Sequence, residues 1–254
     1  MIEVLTIPIS KDRLAKLSSV ERALFVRFGY ISNQLSLLQK LLTFSTNEQP
    51  SLSLEGVCAG AQTQMPLRLF VGAVAESWKL VSEKIVKSPL RNSYFDILDE
   101  GGKKALQMLE EQFRESAFLV AVRNNYGFHL VESDKEIEKA FQTLRLDSGL
   151  DDYWLLYASH HGFNSLFHIS DLIFIQGIAN LAKQSDLNLA QEKLMQEVSQ
   201  ASIRLIEFSR SWIAAIWKKH FGAEIQATKV TQITDAPHVD DVRLPFFVDV
   251  SSRP

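Results

Sequence analysis

Leu24, Phe28, Ile31, Leu35, Leu38 and Leu42 recur at alternating steps of four and three, over more than five turns. This spacing confines the apolar side chains to one stripe of an α-helix, and such a stripe is buried only against other helices. Ser18 with Glu21 three positions on forms a capping box that starts the helix. A second stripe, Leu67, Phe70, Val74, Trp78, Val81 and Ile85, is expected to begin at Pro66, where a first helical turn tolerates proline, and to end at Ser88-Pro89. Thr46 to Gly60, with Pro50 and several serines, reads as the connecting loop. The expected fold is therefore mainly α, an up-and-down bundle.

The remaining pattern fills in this bundle. Leu106, Leu109, Phe113, Ala117 and Val120 predict a third helix from about Gly102 to Tyr126. Ser133 with Glu136 caps a fourth helix, running to about Leu144. Tyr153 to Tyr157 and Ser165 to Ile169 are short and apolar or aromatic, as in a β-hairpin inserted near 151–170. Helix resumes from about Asp171 to Lys183 and from about Leu189 to His220. Residues 1–222 are expected to form one helical domain. Residues 223–254 are expected to be a strand-bearing arm or an irregular tail, in which only Leu244-Pro245-Phe246-Phe247-Val248 has the apolarity to dock.

Composition narrows the function classes. A chain of 254 residues, 46% of them hydrophobic, can bury a substantial core. A net charge of −3 argues against a surface that coats nucleic acid, so any RNA contact is expected to be local. No run reaches the ~18–20 apolar residues of a membrane span, and the N-terminus has no signal-like core, so the expected address is cytoplasmic, away from membranes. Cys58 is the single cysteine and reads as a small buried residue. His160 and His161, with His168 nearby, lack metal-ligand spacing and read as solvated turn residues. His238 with Asp240 and Asp241 reads as exposed polarity in the tail. Tyr153, Trp154, Trp212 and Trp217 read as core aromatics rather than stacking platforms.

The chemically specific string is Arg123-Asn124-Asn125-Tyr126-Gly127-Phe128-His129, close to a predicted helix–helix corner. Guanidinium supplies a planar fork for phosphate, and imidazole moves protons near neutral pH. The string resembles the active-site signature of the HEPN superfamily (higher eukaryotes and prokaryotes nucleotide-binding). In that signature an Arg, often followed by Asn, precedes a His by a few residues. Together with the Glu76-Ser77-Trp78-Lys79 helix and the aromatic segment after it, the chain resembles the abortive-infection-like bacterial branch.

The resemblance implies a metal-independent endoribonuclease in phage defence or a toxin–antitoxin system. It would act as a homodimer on RNA, need no cofactor and answer to a cognate antitoxin or regulator. His129 would position or deprotonate the ribose 2′-hydroxyl, Arg123 would hold the scissile phosphate, and Asn124 would orient His129 or contact the phosphate. Where some family toxins carry Tyr two residues after the His, this chain has Val131. The family also includes catalytically silent dimeric adaptors that bind a partner protein or nucleotide, and this is the competing expectation.

Geometry qualifies the site. Six residues at ~100° each set His129 roughly 120° around an ideal helix from Arg123, so convergence requires a distorted helix end near Gly127 or a contribution from each of two copies. Gly127 would then clear space for a partner helix or substrate. Equally, it would be a C-terminal cap, with Arg123 and His129 ordinary helix-end cations.

Overall fold

The computed structural model describes residues 2–46, 54–127, 134–144, 155–156, 164–222 and 229–249. In chain order these form β1 (Ile2–Thr6), α1 (Lys11–Ala15), α2 (Ser19–Thr46), α3 (Leu54–Val81), α4 (Leu90–Tyr94), α5 (Glu100–Glu115), α6 (Phe118–Tyr126), α7 (Asp134–Thr143), β2 (Leu155–Leu156), β3 (Leu166–Phe167), α8 (His168–Ala182), α9 (Leu187–Phe221) and β4 (Lys229–Ile233). A π-helical turn, Ser82–Val86, closes α3. The fold is mainly helical, with β2 and β3 pairing as a short antiparallel hairpin and β1 pairing antiparallel with β4, Ile2 opposite Ile233. Among the described residues, no helix is long and apolar enough to cross a membrane.

The chain divides into two compact units: residues 1–37, 73–116 and 200–238 form the first, and 38–72, 117–199 and 239–254 the second. In the first unit, the leading half of the α2 stripe is buried through Leu24, Phe28, Ile31 and Leu35. Phe28 meets Phe208 edge-on at 5.7 Å, and Trp212 lies within 6 Å of Phe28, Phe208 and Tyr94. Each ring is almost fully buried, contributing about 2–3 kcal/mol by area, and each ring pair adds ~1 kcal/mol. Trp212 and Trp217 are therefore core residues, as their apolar neighbours implied. Trp78 stacks on Phe113 at 4.9 Å.

In the second unit Leu42, Cys58, Leu67, Phe70, Leu119, Ile178 and Leu194 are buried. The tail joins this unit through polar contacts. Leu244 N–H donates to the Phe44 carbonyl at 3.2 Å, and Asn164 exchanges two 2.9 Å hydrogen bonds with the Val248 backbone. No residue of 229–249 is itself buried.

Two boundaries differ from the sequence pattern. Pro66 lies inside α3, because the helix already begins at Leu54. Its first turns bury Cys58 and Ala59, and packing of that kind offsets the ~3 kcal/mol that an interior proline costs. Residues 54–60 are thus helix rather than loop, while 47–53 lie outside the described residues. The single helix expected from Gly102 to Tyr126 is two helices broken at Ser116, whose backbone is extended (φ −121°, ψ 113°). Ala105, Leu106 and Leu109 are buried before the break, and Phe118, Leu119, Val122 and Tyr126 after it, while Val120 is exposed. The break falls where the first unit gives way to the second, so α5 lines the core of one unit and α6 that of the other.

Candidate functional site

The string of interest is placed by α6. Phe118, Leu119, Val122 and Tyr126 form its buried face, and α8 supplies the surface for Tyr126. The Tyr126 ring meets Phe174 edge-on at 6.3 Å, and its hydroxyl occupies the space over Gly177, where a Cβ would stand 2.2 Å from that oxygen. Burial, with the Glu136 charge adding to it, pushes the Tyr126 hydroxyl up to about 12, so it stays neutral. α8 is held in turn by Arg68 of α3, whose guanidinium lies 4.5 Å over Phe174 and 3.6 Å from Asp171. Burial pushes the Arg68 pKa down and the Asp171 pKa up, and each one's charge partly offsets the other's shift. α7 attaches to the same helix: the Asn180 amide donates to Thr143 Oγ1 at 2.9 Å, and Gln176 donates to Asn180 Oδ1 at 3.0 Å.

With Tyr126 turned inward, Arg123 is left half-buried and Asn124 exposed. Arg123 Nη1 donates to Asn124 Oδ1 at 3.0 Å, which ties the phosphate-type group to the amide beside it. The helix ends at Tyr126, and Gly127 N–H donates to the Arg123 carbonyl at 3.2 Å. The Gly127 backbone then turns away (φ −76°, ψ −120°), and a Cβ there would stand 2.7 Å from the same carbonyl oxygen. A side chain here would collide with the chain's own backbone at the exit from α6, which fits the capping role for Gly127. The ideal-helix angle between Arg123 and His129 does not apply, because the helix stops between them. His129 itself lies outside the described residues, as do His160, His161, Tyr153 and Trp154. The structure thus brings Arg123 and Asn124 together.

His168 departs from its expected solvated setting. It is 6% exposed at the start of α8, and burial lowers its pKa. His238 is exposed, and among the described residues no three His, Cys, Asp or Glu side chains gather as a metal site.

A charged cluster in the first unit was not singled out from the sequence. Ser18 and Glu21 form the expected capping box, with Glu21 N–H donating to Ser18 Oγ at 3.2 Å and Ser18 N–H and Oγ donating to Glu21 Oε2. The other carboxylate oxygen, Oε1, accepts from the Tyr94 hydroxyl, from His220 Nε2 at 2.9 Å and from Lys219 Nζ at 3.5 Å. Burial pushes the Glu21 carboxyl up, but the Tyr94, His220 and Ser18 donors and the His220 charge outweigh it and hold the pKa down at about 2. Burial, followed by the hydrogen bond to Glu21 and its charge, pushes Tyr94 far above its ordinary value. Tyr94 is fully buried. The cluster ties the start of α2 to the end of α9 and to α4. Its members are 73 and 198 residues apart in sequence, so no short motif could have revealed it.

No protein-family model, no curated protein and no solved structure matches the chain.

Proposed function

We propose that the chain is a metal-independent RNA endonuclease of the HEPN type, working in phage defence or as the toxin of a toxin–antitoxin pair. The observation that carries this reading is the hydrogen-bonded Arg123–Asn124 pair in the last turn of α6, with His129 following two residues after the helix exit at Gly127. Asn124 orients the guanidinium, which takes the scissile phosphate through parallel charged hydrogen bonds. His129 removes the proton from the ribose 2′-hydroxyl. That oxygen attacks phosphorus, the bond to the 5′-oxygen breaks as that oxygen takes up a proton from water, and the products are a 2′,3′-cyclic phosphate and a 5′-hydroxyl. A two-fold pair of copies meeting through α6 would bring the groups of both chains to one substrate.

The test is cleavage of a panel of cellular RNAs in excess EDTA. Wild type should cut RNA, leave cyclic phosphate ends and spare DNA, which lacks the nucleophile. His129→Ala should lose on the order of a hundredfold in rate. Arg123→Lys should be severely impaired, because a point charge does not reproduce the fork, and Asn124→Ala less so. Equal, slow degradation by wild type and His129→Ala would refute the nuclease reading and leave the silent dimeric adaptor in its place.

A further inference from the structure

In the first unit, α1, the start of α2 and the end of α9 meet. The Arg13 guanidinium carbon stands 5.4 Å from the centre of the Trp217 ring, and Arg22 Nη1 reaches the Ala15 carbonyl at 3.5 Å. These contacts gather Lys11, Arg13, Lys16, Arg22, Lys218 and Lys219, six cations against the two carboxylates of Asp12 and Glu21. From Ser211 to Gly222 the chain has no Asp or Glu. Glu21 is committed to Lys219 and His220, which takes those two out of the free donors. The other five cations are exposed, and none of them pairs with a carboxylate among the described residues. The acids on the segment after Tyr94, which also bonds Glu21, are engaged elsewhere: Asp96, Asp99 and Glu100 all act on Lys103. Counting Glu224 as well, which lies outside the described residues, still leaves a surplus of three positive charges.

We propose that this cationic surface docks the sugar–phosphate backbone of single-stranded RNA, its phosphates held by Lys11, Arg13, Lys16, Arg22 and Lys218. Three features select that chemistry. On a chain whose net charge is −3, the positive surplus is local, so an anion is drawn to this surface rather than to the protein at large. Two of the five are arginines whose forks meet no carboxylate, the geometry that takes two phosphate oxygens in parallel. The surface is also poor in apolar side chains. Leu17 and Trp217 are buried, and Val20 is the one large apolar side chain exposed among residues 10–22 and 211–222. An acidic protein would need an apolar interface centre, and a lipid surface would need an apolar face to take up. With no exposed ring to stack a base, the contact is to backbone and independent of sequence. The inference rests on the nuclease reading for its choice of RNA. It assigns to the first unit a docking contact separate from Arg123 and His129.

The experiment measures binding of a fluorescein-labelled single-stranded 2′-O-methyl RNA, which the proposed cleavage cannot consume, by anisotropy over a salt series. Phosphatidylserine vesicles and polyglutamate are the competing anions. The double variant Lys16→Gln/Lys218→Gln should weaken RNA binding about tenfold. Its slope of log affinity against log salt should be shallower by about 1.4, two phosphates at ~0.7 each. Both side chains are exposed, so its urea midpoint should stay at the wild-type value. Lys84→Gln/Lys104→Gln removes the same charge from exposed positions elsewhere in the first unit and should bind RNA as the wild type does. With cleavable RNA, Lys16→Gln/Lys218→Gln should raise KM far more than it lowers kcat. Wild-type affinity and slope in that variant would overturn the inference, as would equal weakening in the control. Failure of the wild type to bind RNA, or its preference for vesicles or polyglutamate, would overturn it too. If RNA binds through this surface but is never cut, only the nuclease reading falls. If cutting proceeds with unchanged KM in Lys16→Gln/Lys218→Gln, only the docking surface does.

Discussion

Replacing Glu21 by Gln should weaken the first unit in a way that depends on pH. The carboxylate is 11% exposed and accepts from Tyr94, His220, Lys219 and Ser18. The amide would keep one acceptor oxygen but would turn an NH₂ toward a set of donors. Lowering the pKa from 4.5 to about 2 corresponds to on the order of 3 kcal/mol of stability at neutral pH. The folded-state pKa lies below the unfolded one, so between these values the unfolded chain binds more protons. The stabilisation is therefore complete above about pH 4.5 and is lost as pH falls toward 2. Urea unfolding followed by tryptophan fluorescence suits the measurement, because Trp78, Trp212 and Trp217 all belong to the first unit. At pH 7 the variant should lose about 3 kcal/mol and melt roughly 10 °C lower. Titrated downward, the wild-type and variant curves should converge near pH 2. Equal midpoints at pH 7, or a gap that persists unchanged to pH 2, would show that Glu21 does not act through its charge.

Gly177→Ala should cost about 1–3 kcal/mol, because its Cβ would meet the Tyr126 hydroxyl and ring at 2.2–2.7 Å and Tyr126 is only 3% exposed. Gly29→Ala, with nothing within 4 Å, is the control and should be neutral or slightly stabilising; matching melts for Gly177→Ala and wild type would contradict the packing described for α6. Truncation after Val242 removes the contacts of Leu244 and Val248 with Phe44 and Asn164. It should lower the thermal midpoint by about 3 °C, and an unchanged midpoint in calorimetry would show that those bonds merely replace bonds to water.

The sequence by itself determined the elements whose cause is local. Apolar residues at three- and four-residue steps made α2 and the later turns of α3 legible, and Ser18 and Glu21, three positions apart, satisfy each other's backbone donors wherever α2 is placed. The pairing of short strands near 155 and 166 likewise follows from composition and separation. Tertiary packing decided what periodicity left degenerate. Pro66 is tolerated within α3 because the turns before it bury side chains, and the helix breaks at Ser116, where α5 of the first unit gives way to α6 of the second. In the candidate site, the order Arg123, Asn124, His129 was legible as chemistry, but the role of Gly127 was not. A glycine four residues after an arginine fits close approach by a partner as well as a helix exit, and the helix-exit role becomes visible only in the 2.7 Å distance from its would-be Cβ to the Arg123 carbonyl. The Glu21–Tyr94–His220 cluster was invisible for a more general reason: a carboxylate's pKa is set by donors that the fold brings from distant segments, and sequence distance does not encode that proximity.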